Sequence, residues 1–244
     1  MRLTSPENKR WHEGRLKEAL AKATSRESFF QRISFLELAR RVADVTDTGE
    51  VDLRGLDLTP ILGEQMRVDP GHHVALDFSK SEGTDVYFGQ SSFVRCNFDR
   101  TRWHNIVIRD CSFNDCSFAD SVWDSSALGI RCTFMRCDFS RMSGRGEYFS
   151  FGRQSRFVEC NFLEIEAKRV DDHSVVFERC RFSGRLEAAK FRGKKYVWAR
   201  RLGSMRNLLS GAYRPVKFCD CDLSKLTVPP DCFDPGVILS QRPL

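Results

Sequence analysis

The sequence predicts a mainly β solenoid, a coil of short extended sides, with an N-terminal helical pair and a basic, helical insertion near its C-terminal end. Three observations carry this prediction. Large apolar residues recur every five positions, a small or β-branched residue stands two places before most of them, and two segments lack the beat altogether. The expected organisation is a helical cap over residues 1–48, repeat coils over 49–184, the insertion over 185–215, and a final coil and tail over 216–244.

The N-terminal segment reads as two amphipathic helices. Ser5-Pro6-Glu7 offers an N-cap with proline at the first helical position. Trp11, Leu16, Ala19, Leu20 and Ala23 then recur at helical spacing, and a second start at Ser25 or Ser28 leads into Phe29, Phe30, Ile33, Leu36, Leu38 and Ala39. Solenoid ends expose an apolar face and unpaired strand edges, so capping is the favoured role. A homodimer through these helices or through a terminal coil is the alternative.

The repeat follows. Steps of five from Leu53 to Leu128 visit sixteen positions, and thirteen of them are large and apolar, so the pattern is not chance. The phase slips by one to Phe134, Phe139 and Phe149, slips again to Phe157, Phe162, Phe177 and Phe182, and returns at Phe218, Leu223, Val228 and Phe233. Neither a helix of about 3.6 residues per turn nor a strand alternating every two has this period. The residue two before each anchor is small or β-branched, as at Cys96, Thr101, Cys111, Cys116, Cys137, Val175 and Cys221, and shares its side of an extended piece. The residue between them is polar and expected to face out, as at Asp52, Asp77, Asn97 and Asp138. The two residues after the anchor are polar and suit a turn. A leucine-rich repeat needs a longer unit, and a β-sandwich shows turn signals every 8 to 12 residues or so.

The runs CNFDR at 96–100, CSFND at 111–115, CSFAD at 116–120, CDFSR at 137–141 and CDLSK at 221–225 resemble the pentapeptide-repeat family, over roughly residues 51–184 and 216–233. The resemblance implies a right-handed quadrilateral β-helix with four five-residue sides to a coil. Some members of that family are acidic rods that resemble duplex DNA and protect bacterial type II topoisomerases, and some carry projecting loops. This chain departs from them in its formal net charge of +6.

Composition narrows function further. A chain of 244 residues with 41% hydrophobic content can bury a substantial core. No run approaches the 18 or so apolar residues of a membrane span, and MRLTSPENKRWHEGR has no apolar signal core, so a soluble, cytoplasmic protein is expected. Eight of the ten cysteines fall at the minus-two position, where a thiol serves as a small buried hydrophobe. Cys219-Asp-Cys221 should point one sulfur in and one out, and no metal or cofactor is expected. His72 and His73 read as a loop or imperfect corner. Gly144-Arg145-Gly146 lacks the third glycine of a phosphate loop, no nucleophile elbow or zinc-protease motif occurs, and an enzyme is the third choice.

Charge points to the insertion as the working part. Residues 185–214 carry nine basic residues against Glu187, a net of +8, whereas residues 46–184 carry a net of −5. Trp198, Leu202, Met205 and Leu209 form the stripe of an amphipathic helix, with Arg200, Arg201 and Arg206 mostly off it. Docking of the stripe on the acidic flank of the rod is one reading. The other is contact with a partner through Lys194, Lys195, Trp198, Arg200, Arg201 and Arg206, the partner being a protein or, by phosphate contact and stacking on Tyr196, Trp198 and Tyr213, a nucleic acid.

Overall fold

A beat of five that buries one residue per step requires the chain to turn after each step, and four such turns return it to its starting side. In the computed structural model, which describes residues 46–47, 49–55, 66–68, 70–172, 174–193 and 214–240, this is the path the chain takes. Phe93 pairs in parallel with Phe113, twenty residues on, and the register continues through Phe134, Phe157, Phe177, Phe218 and Leu239. The first side is an eight-stranded parallel sheet that begins at His72–Val74 and ends at Ile238–Ser240. At about 4.8 Å per rung it is on the order of 35 Å long.

The other three sides follow in turn. The second is held by single parallel bridges from Asp77 through Asn97, Ser117 and Asp138 to Asn161. The third is a seven-stranded sheet from Glu82–Thr84 to Asp222–Thr227. The fourth pairs Met66–Val68, Val86–Gly89 and Val107–Arg109, then continues as bridges through Ile130 to Arg153. The expected N-terminal helices and the helical stripe of the insertion lie outside the described residues.

Phenylalanine anchors fill the interior as flat stacks. On the second side, Phe98, Phe118, Phe139, Phe162 and Phe182 follow one another at centroid spacings of 4.7 to 4.9 Å with rings within 6° of parallel. Rings on adjacent sides meet edge to face, as for Phe113 and Phe118 at 69°. Each buried ring contributes roughly 1.5–3 kcal/mol by removal from water, and the edge contacts add the favoured quadrupole geometry.

The corners explain the polar pair after each anchor. Every fifth residue from Ala75 to Ser125 has positive φ, between 49° and 59°, and none of the eleven is glycine. A non-glycine residue there costs roughly 1–2 kcal/mol. Cross-coil hydrogen bonds offset the cost: Arg95 N–H donates to the Asn114 carbonyl at 3.0 Å and Asp115 N–H to Met135 at 3.0 Å.

Three expectations change. His73 is an anchor rather than part of a loop: it lies in the strand His72–Val74, is buried, and packs on Phe93 with centroids 4.9 Å apart. Asp52 and Asp77 do not face water, because both are buried under Arg54, which reaches them at 2.8 and 3.8 Å. The coil also runs past residue 184. Strands Arg181–Glu187 and Lys190–Phe191 pair with the rung below, so 185–193 belong to the solenoid. Their outward arginines and lysine hide a beat whose inward residues are Leu186 and Phe191.

Candidate interaction site at the root of the basic insertion

Lys194, Lys195, Trp198, Arg200, Arg201 and Arg206 all lie outside the described residues. The two stems from which they hang are described, and they sit side by side. The outgoing stem is Lys190–Phe191, paired with Asp171–Asp172, and Arg192 N–H donates to the Asp172 carbonyl at 2.8 Å. The returning stem begins at Arg214, whose carbonyl accepts from Ser174 N–H at 2.8 Å and whose N–H donates to Ser174 Oγ at 2.9 Å. Val216 N–H donates to the Arg192 carbonyl at 3.0 Å, tying the stems together. Gly193 closes the root: a Cβ there would stand 1.9 Å from the Pro235 carbonyl oxygen.

Charge fixes the same place. Arg192 makes a two-pronged pair with Asp171 at 2.7 and 2.6 Å and approaches Asp234 at 3.8 Å. Lys190 Nζ donates to the Asp231 carbonyl at 2.6 Å and carboxylate at 2.9 Å, which holds the Asp231 carboxyl below the usual range and raises Lys190. The basic residues at the start of the expected insertion are therefore partnered within the coil. Beneath them lies Asp172, fully buried, with a carboxylate that accepts from Ser150 Oγ at 2.7 Å, Phe151 N–H at 3.1 Å and Gly152 N–H at 3.3 Å. Burial pushes its carboxyl up to about 7, against the pull of those three donors.

The flanks are partly self-neutralised. Two-pronged pairs join Arg131 to Asp110, Arg136 to Asp115 and Arg141 to Asp120 at 2.6 to 2.9 Å, each one coil apart. One corner reads Arg95, Asp115, Arg136, Glu159, Arg179, Asp220 up the rod, an alternation of sign at every rung. Exposed pairs of this kind contribute little each, but they occupy the flank acids that could otherwise receive the insertion. Cys221 faces the core and Cys219 the other way, as expected for positions two before the anchor Leu223 and one after the anchor Phe218 with the corner at Asp220 between them, and both are half-buried. Among the described residues no three His, Cys, Asp or Glu side chains converge to hold a metal ion, and no helix is long and apolar enough to cross a membrane.

Sequence reasoning missed Asp172 and the acids at 171, 231 and 234. The only available signal was their position on either side of the break in the beat.

No family model matches the chain, and no curated protein matches it. Among solved structures it is similar to full-length QnrB1, a plasmid-mediated fluoroquinolone resistance protein, at 13% identity over 78% of this chain and 93% of that one, with a TM-score of 0.29. It is also similar to HetL, a pentapeptide-repeat protein involved in heterocyst differentiation regulation from the cyanobacterium Nostoc sp. strain PCC 7120, at 10% identity over 73% and 79%, with a TM-score of 0.35. Parallel rungs about twenty residues apart, five-residue sides and left-handed corners that recur in steps of five make the chain a four-sided parallel β-solenoid.

Proposed function

We propose that the chain is a non-enzymatic interaction protein in which a rigid solenoid presents the basic insertion to a protein partner. The observation that carries this reading is the root. Residues 194–213 leave and rejoin the coil at stems hydrogen-bonded to each other through Arg192 and Val216, so the excursion is tethered at both ends to a rigid frame. It contains five basic residues and no acid. Such a segment gains affinity because its ends are ordered before it binds. Acidic surface on a partner is the matching chemistry.

A second reading, contact with nucleic acid, is favoured by Tyr196, Trp198 and Tyr213 interleaved among those five charges, since bases stack on aromatic rings while phosphates meet arginine. Modulation of a topoisomerase belongs to this second reading.

One experiment separates them. The intact chain and a variant with Lys194, Lys195, Arg200, Arg201 and Arg206 all changed to Glu are used as bait in bacterial lysate, with and without nuclease. Capture that survives nuclease and is lost in the variant supports protein recognition. Capture abolished by nuclease supports the nucleic-acid reading. Equal capture by both chains rejects the insertion as the site.

A further inference from the structure

Six successive coils place a cysteine at the same inward position of the second side: Cys96, Cys116, Cys137, Cys160, Cys180 and Cys221. The equivalent positions elsewhere are mixed, with Ser91, Cys111, Cys132, Ser155 and Val175 on the first side and Ser81, Thr101, Ser121 and Met142 on the third. Packing alone explains a small side chain. It does not explain a thiol in six consecutive rungs of one side where serine, threonine and valine serve on others.

The sulfurs form a regular column. Cys116 Sγ donates to the Phe93 carbonyl at 3.5 Å and the Asn114 carbonyl at 3.4 Å. Cys137, Cys160 and Cys180 repeat this pair of bonds one coil at a time, at 3.4 to 3.5 Å. Equal bonds from Cys116 to Cys180 mean equal rotamers, and Cys221 keeps the bond to the carbonyl two residues back, that of Cys219 at 3.4 Å, so the sulfurs repeat at the rung spacing of about 4.8 Å. Cys180 and Cys221 stand on neighbouring rungs of this column, each one residue before the paired positions Arg181 and Asp222.

That spacing decides what the column can hold. A disulfide needs sulfurs about 2.05 Å apart and Cβ atoms about 3.8 Å apart, well inside the rung spacing. Two metal–sulfur bonds of about 2.3 Å laid end to end span about 4.6 Å, which matches it. Since no three potential ligands converge among the described residues, a tetrahedral ion is not served and a linear, two-coordinate one is. Thiolate donors select soft cations. The core is apolar, so two thiolates need a divalent ion to form a neutral unit; a monovalent one would leave a buried, uncompensated charge.

We propose that Cys180 and Cys221 form a two-coordinate binding site for a soft divalent cation, of which mercuric ion is the probe. Binding replaces two S–H bonds by two metal–sulfur bonds and releases two protons, with no change of oxidation state. Access is from the C-terminal end, where Cys221 is half-buried, whereas Cys96 to Cys180 are 1 to 2% exposed.

The test titrates the full chain with mercuric chloride, washes with a monothiol such as glutathione, and reads retained mercury, ultraviolet thiolate-to-metal absorption and thiols protected from alkylation. One ion retained per chain, with Cys180 and Cys221 protected, is the expected result. Cys221→Ser should lower retention at least tenfold and Cys219→Ser should leave it unchanged. Cys180→Ala, checked for fold by circular dichroism, should match Cys221→Ser. Retention that follows Cys219, retention indifferent to Cys221→Ser, or no retention after the wash would overturn the proposal.

Discussion

The coils from His73 to Phe134 and those from Phe149 to Phe233 solve one packing problem in two ways. In the first set the rungs are twenty or twenty-one residues apart, and phenylalanines of one side stack flat. In the second, the separation grows to forty-one between Phe177 and Phe218, and rings off the parent beat stand edge-on to the stacks, Phe151 at 87° to Phe177 and Phe191 at 88° to Phe218. Added residues there also free backbone donors. Gly152, at φ +108°, passes so close to Gly129 that a Cβ would lie 1.7 Å from its carbonyl oxygen. The N–H groups of Phe151 and Gly152 turn inward to Asp172. The solenoid thus accepts extra chain where a buried acid collects the donors it releases, and the insertion leaves one rung above that acid.

The largest effect expected is from removal of a stacked ring. Phe118→Ala takes out a ring held between Phe98 and Phe139 at 4.9 Å on each side, and should cost about 3–5 kcal/mol in urea unfolding. Phe151→Ala should cost a similar amount, because that ring meets Phe157, Phe162, Phe177 and Phe182. A loss below about 1 kcal/mol at Phe151 would make it a loose plug and break the comparison.

Next in size is the polar repair. Asp172→Ala leaves the buried Phe151 N–H without its carboxylate acceptor, while Gly152 N–H keeps Ser150 Oγ at 2.9 Å, and should cost roughly 1–3 kcal/mol. Asp172→Asn keeps the shape and should cost less. The pH dependence separates charge from shape. Because burial raises the folded carboxyl to about 7 from its ordinary 3.8, this group's contribution is fullest below about pH 4 and declines as pH rises to about 7. The wild-type chain should therefore lose stability relative to Asp172→Asn across that window, as read from urea midpoints at each pH. A flat difference would mean that the three donors hold Asp172 as a carboxylate throughout.

This division also marks what the sequence made legible. Translational regularity writes itself into a sequence, so the five-beat, the inward cysteines and the opposed pair Cys219 and Cys221 could be read directly. Repairs are local and single. Phe151 sits off the beat, Phe191 keeps a beat shifted from that of Phe182, and Asp172 looks like any polar residue until its three donors are in view. Asp52 and Asp77 occupy positions that read as outward, yet Arg54 folds over them, an effect of a long side chain that periodicity does not carry. The start of the insertion was misplaced at 185 for a related reason. Arg185, Lys190 and Arg192 count as charge in a sequence, whereas in the coil they are outward residues whose acids, Glu187, Asp231, Asp234 and Asp171, come from other rungs or from further along the same one.

The smallest effect concerns the feature common to both sets, the left-handed corner. Gln90 in the first set and Gln154 in the second have φ of 51° and 57°. Glycine relieves a strain of roughly 1–2 kcal/mol and gives back roughly 0.5–1 kcal/mol in unfolded-chain entropy. Gln90→Gly keeps the backbone N–H that donates to the Arg109 carbonyl at 3.0 Å. Both substitutions should therefore raise the urea midpoint by a small and equal amount. Equality would make the corner a property of the coil itself, independent of how the interior is filled. Stabilisation at Gln90 with a loss at Gln154 would place the difference between the two regions in their corners as well as in their cores.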